Sequence, residues 1–117
     1  MESILTSIKK LLGITEEYTH FDADIIMHIN SVFSVLTQLG VGPSAGFSIR
    51  DNLASWQDYM DEGPVSEMLK TYVYEKVRLK FDPPTNSSLL EAMKQDAAEL
   101  EWRLMTEAEL KNTKGSV

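Results

Sequence analysis

The sequence predicts an all-α protein: a small four-helix bundle with a long irregular loop between its second and third helices and a long C-terminal helix. Three observations carry this reading. Apolar residues recur at steps of three and four in four separate stretches, the period that gathers side chains on one face of a helix. No stretch reads as a strand. Glycine and proline collect between the stretches or at their edges. The expected helices cover about residues 3–12, 20–39, 64–81 and 88–111, with a loop at 40–63, a flexible tail at 112–117, and one domain over 1–117.

The third helix is the expected centre. Val65, Met68, Leu69, Tyr72, Val73 and Val77 form one stripe, while Tyr74, Leu79 and Phe81 lie off it. A helix apolar around much of its girth needs neighbours on more than one side. Pro64 suits a first helical turn, where its missing N–H is not needed. Pro83 and Pro84 drive the residues before them out of helical geometry, so the helix ends near Phe81 and the chain turns a stiff corner.

The other elements follow in order. Ile4, Leu5, Ile8, Leu11 and Leu12 make a short amphipathic helix, with Gly13 placed as its left-handed cap and Ile14 as the apolar contact beyond. Lys9 and Lys10 in its last turn complement the helix dipole. The second helix turns Ile25, Ile29, Val32, Phe33, Leu36 and Leu39 inward, and Thr19 with Asp22 has capping-box spacing. Its outward positions, including His28, Asn30, Ser34, Thr37 and Gln38, are polar but nearly uncharged, which suits a protein contact. In the fourth helix Leu90, Met93, Ala97, Leu100 and Leu104 keep a near-heptad seam, Ser88 and Glu91 fit a capping box, and Trp102 and Met105 lie off the seam. A helix of that length projects past the shorter ones, leaving its tip free to reach a partner or to fray.

The loop is too apolar for an idle linker. Ile49, Leu53 and Trp56 are spaced to share one face of a short helical turn starting near Ser48, with Asp51 completing a capping box. Two readings of Phe47, Ile49, Leu53, Trp56 and Tyr59 stay open: the side chains fold back as a lid on the core, or they anchor an arm in a neighbouring subunit.

Composition narrows the function. A chain of 117 residues with 43% hydrophobic and 25% charged residues is ordinary for one folded domain. No apolar run is long enough to span a membrane, and no secretory signal is read at the N-terminus. The chain has no cysteine, hence no disulfide or thiolate chemistry. A formal charge of −7, from 18 acidic and 11 basic residues, opposes gripping nucleic acid through its phosphates. It equally lets a duplex pass without sticking, or simply aids solubility. Lys76, Arg78 and Lys80 span two sides of a helix and read as partners for neighbouring acids. No metal or cofactor site is expected: His28 and His20 are not at ligand spacing, and Asp58, Asp61 and Glu62 lack a calcium-loop pattern. The glycines at 40, 42 and 46 lack the lysine and hydroxyl that close a phosphate loop. No catalytic arrangement stands out, so no catalytic residue is named and an enzyme is not expected.

One resemblance adds to this. The run Leu5-Thr6-Ser7-Ile8-Lys9-Lys10-Leu11-Leu12-Gly13-Ile14 is followed by Asp24-Ile25-Ile26 and by Gln38-Leu39-Gly40-Val41. Further on come Lys70-Thr71-Tyr72-Val73-Tyr74-Glu75-Lys76-Val77-Arg78-Leu79, Phe81-Asp82-Pro83-Pro84 and Glu99-Leu100-Glu101-Trp102-Arg103-Leu104. In order and spacing these are similar to the head-tail connector proteins of long-tailed bacteriophages and prophages, over about residues 4–105. The resemblance implies a structural head-completion protein with no reaction and no cofactor. It implies a ring of about a dozen copies beneath the portal, extending the DNA channel and meeting a neck, stopper or tail-completion protein. The location implied is the head–tail junction of the virion, after synthesis in the host cytoplasm. On this reading Phe47, Ile49, Leu53, Trp56 and Tyr59 are candidates for intersubunit contact, and Trp102, Met105, Leu110 and Lys111 for portal or neck contact. The alternative, from a different class, is a small acidic helical module that binds another protein, such as a host-takeover factor or an inhibitor of a regulator. A helix-turn-helix regulator stands third.

Overall fold

Ser66 sets where the central helix begins: its hydroxyl accepts from the amides of Met68 and Leu69 at 3.1 and 3.4 Å, satisfying donors that a first helical turn leaves open. The computed structural model describes residues 2–60 and 66–115. They form five helices, α1 Ile4–Leu11, α2 Asp22–Gln38, α3 Trp56–Met60, α4 Glu67–Phe81 and α5 Ser87–Gly115. Among the described residues there is no strand, only an isolated bridge between Ser3 and Ser55. The expected Pro64 helix start, Val65, and the acids Asp61 and Glu62 lie outside the described residues.

The four expected helices are present and α4 is central, packed against α1, α2 and α5. Its stripe is sealed, with Leu69, Tyr72, Val73 and Val77 no more than 1% exposed. It stops at Phe81, whose ring meets Phe21 edge-on at 5.3 Å and so closes the proline corner against the start of α2. The α5 seam holds too: Met93, Ala97 and Leu104 are buried, and Leu100 packs against the core.

Helix ends show which local interactions prevail. Gly13 takes a φ of +82° as α1 ends, with its amide on Lys10 O at 3.1 Å and that of Ile14 on Lys9 O at 2.9 Å, the paired bonds of a left-handed cap. At the start of α2 the expected capping box does not form; no side chain caps that end. The Asp22 carboxylate instead meets Lys9 Nζ at 2.8 Å. Lys9 is 2% exposed, and its ammonium also donates to the carbonyls of Glu16 and Tyr18 at 3.0 and 2.8 Å. A buried ammonium needs all three acceptors, so Lys9 clamps the connector rather than merely complementing a dipole. In α5 the cap is Asn86, whose Oδ1 accepts from Leu89 N at 3.1 Å, not Ser88. That helix runs on to Gly115, into the segment expected to be a flexible tail. Residues 112–114 contain no helix breaker.

The largest departure is in the loop. The short helix is α3, which begins eight residues after the expected start at Ser48. It is capped reciprocally, Asp58 N donating to Ser55 Oγ at 3.2 Å and Ser55 N to Asp58 Oδ2 at 2.8 Å. Residues around 49 stay irregular because Asn30 holds both backbone groups of Ile49, accepting from its N at 2.8 Å and donating to its O at 3.0 Å. Asp51 closes a local turn on Leu53 N at 2.9 Å.

Trp56 anchors this segment. It is 2% exposed and its indole N–H donates to Ser7 Oγ at 2.8 Å. Truncating it empties a large buried volume and removes the donor to that hydroxyl. Trp56→Ala is therefore expected to lower stability by about 3–5 kcal/mol, read as a lower denaturant midpoint.

Candidate interaction surfaces

The loop residues divide sharply. The ring of Phe33, on α2, stacks on Tyr59 at 4.7 Å and meets Phe47 and Trp56 edge-on at 5.3 and 6.4 Å. Phe47 and Tyr59 also meet at 5.2 Å, and Ile49 is 3% exposed. The structure thus brings Phe47, Ile49, Trp56 and Tyr59 together in the chain's own core, where they act as a lid. Leu53 stands apart, 81% exposed. Its surroundings are pinned: Ala54 O accepts from Ile4 N at 3.0 Å and Trp56 N donates to Glu2 O at 3.3 Å. Leu53 is thus an exposed apolar side chain on a hydrogen-bonded stretch of backbone.

On α5, Trp102 and Leu110 are each 60% exposed, Met105 is half-buried and Lys111 is exposed. These four do not share a face. Trp102 and Lys111 lie nine positions apart, two and a half turns, so they point to opposite sides. Trp102 looks outward. Lys111 lies with Leu104, Glu107 and Ala108 along one wall of a cleft of about 360 Å³, whose opposite wall is the 40–43 turn with Tyr59 and Met60. The cleft was not foreseen. Its signal was Ala108, which continues the Leu104 row of the α5 seam by one turn. Of the outward positions expected on α2, Ser34 and Gln38 are exposed while His28, Asn30 and Thr37 are half-buried, and the apolar Met27 and Val35 are exposed beside them. Asn30 is taken up by Ile49.

Polar groups between α4 and α5 are structural in position. Tyr72 donates its hydroxyl to Glu101 Oε1 at 2.5 Å, and burial, reinforced by that carboxylate, raises its ionisation well above the usual range. Burial alone pushes the Tyr59 hydroxyl up to about 12, and it donates to Val41 O at 3.2 Å. Glu75 is 7% exposed. Burial first, then a hydrogen bond and charge from Asp96, pushes its carboxyl up to about 7. One Glu75 oxygen has no partner among the described residues. Among the described residues no three His, Cys, Asp or Glu gather as a metal would need, and no helix is long and apolar enough to cross a membrane.

Fold and surfaces together define a small helical scaffold that holds apolar side chains out on rigid supports. The family model for phage connector proteins matches residues 4–111, and the chain belongs to that family. The match spans the stretches whose order and spacing resemble head-tail connectors, and makes the chain one of the bacteriophage structural proteins that join head to tail. Neither a curated protein nor a solved structure matches the chain significantly.

Glu75 makes stability depend on pH in a defined direction. Its carboxyl rises from 4.5 to about 7 on folding, so the folded state holds the proton more tightly. The favourable contribution is complete below pH 4.5 and is lost as pH rises through about 7. The loss amounts to at most about 3 kcal/mol. Glu75→Gln, neutral at every pH, is expected to flatten the stability profile between pH 5 and 8 and to raise the melting temperature at pH 8.

Proposed function

We propose that this protein is a head-completion adaptor of a tailed phage or prophage, assembled as a ring of about a dozen copies beneath the portal. There it extends the DNA channel and offers its far side to a neck, stopper or tail-completion protein. The observation that carries the reading is the connector-family match over residues 4–111. Its place is the head–tail junction, and its work is mechanical, with neither reaction nor cofactor. A net charge of −7 supports the reading, because a conduit of the same sign as DNA does not retain it. Trp102 supports a docking role for the outer face of α5, since a large, rigid, half-apolar ring left 60% exposed is the kind of residue that dominates protein interfaces. Met105 and Leu110 flank that face, whereas Lys111 belongs to the cleft.

Deleting the gene is expected to give DNA-filled heads without tails in electron micrographs; normally tailed particles would overturn the reading. Trp102→Ala is expected to leave stability within about 0.5 kcal/mol while weakening attachment to portal-bearing heads by roughly thirtyfold, the cost of losing a dominant contact residue. Undiminished copies on purified heads would remove Trp102 from the docking face.

A further inference from the structure

Leu53 and the cleft beside α5 are complementary features at different places on the chain. The first is an isolated apolar knob, 81% exposed, on backbone fixed by Asp51 Oδ1 and by the Ala54 bond to α1. The second is an open, mainly apolar recess of about 360 Å³, with Val41, Pro43, Tyr59, Leu69, Leu104 and Ala108 in its lining. Their rims match in charge. Arg50 and Asp51 precede the knob and are exposed. Glu107 and Lys111 edge the cleft, 53% and 69% exposed, with only a loose 3.9 Å pair between them.

We infer that Leu53 of one copy seats in the cleft of the next, with Arg50 facing Glu107 and Asp51 facing Lys111 across the joint. Knob and cleft occupy different places on the same chain, so the contact is head-to-tail. Contacts of that kind repeat around a ring when the rotation closes, and give a filament when it does not. A joint made of one apolar side chain and two exposed ion pairs is small by the standard of stable interfaces. Copies therefore stay apart when dilute and hold once neighbours are fixed on a common platform, which multiplies the effective concentration. The inference rests on the ring in the proposed function and supplies its contact.

The absence of cysteine makes the test direct. Leu53→Cys and Ala108→Cys variants are co-produced with the phage particles, which are purified and mildly oxidised. A disulfide-linked mixed dimer is expected on a non-reducing gel. Pairing Leu53→Cys with Leu11→Cys, outside the cleft lining, is expected to give none. Both variants present on heads without the mixed dimer would overturn the contact while leaving the connector reading intact. Leu53→Asp gives a second measure that does not rely on oxidation. The side chain is solvent-exposed, so the melting temperature should hold within a few degrees while copies per head fall at least tenfold; an unchanged copy number overturns the contact. Normally tailed particles after gene deletion instead remove the connector reading itself.

Discussion

The Phe33 ring is the constraint around which the loop half of the molecule is ordered. A connection of this length cannot be held by its own backbone, because the entropy of fixing each residue must be offset by something buried. Phe33 supplies the surface: Phe47, Trp56 and Tyr59 all converge on it, one stacked and two edge-on. The approach of Tyr59 depends in turn on Gly42. That residue has a φ of +83°, and a Cβ on it would fall inside the Tyr59 ring and hydroxyl. With the ring seated there, Tyr59 bonds Val41 and the turn is tied to α3. The five residues of α3 are too few to stand alone as a helix; Trp56 and Tyr59 fix them by plugging the core.

The opposite half depends on buried polar groups that tie one element to another. Lys9 ties α1, the connector and α2 through two carbonyls and a carboxylate. Ser7 accepts from Trp56 and donates to Ile4 O at 3.0 Å, so α1 is fastened to the loop as well. Between α4 and α5, one Glu75 oxygen has no hydrogen-bond partner among the described residues. The bundle is thus secured by polar clamps at one side and by apolar packing with the Tyr72–Glu101 hydrogen bond at the other.

Periodicity made the helices legible. The stripe on α4 and the seam on α5 are buried as their spacing required, and the prolines at 83 and 84 and Gly13 mark real ends. Caps were less legible, because a side chain such as Asp22 has a local option and a tertiary one, and the buried Lys9 outweighed the local bond. The loop was least legible. Its apolar composition was evident, but whether Trp56 turns inward depends on Ser7, forty-nine positions away, and the irregular path at Ile49 depends on Asn30. For the surfaces, the exposure of Trp102 followed from its place off the seam. The cleft could not be read, since it arises only when the 40–43 turn is folded against the last turns of α5.

α5 has one further consequence. Its 29 residues rise about 43 Å, close to the 47 Å long dimension of the molecule, and no glycine or proline interrupts 87–114. Such a strut does not hinge. A load applied near Leu110 is carried along an unbroken helix toward the proline corner rather than absorbed at a kink.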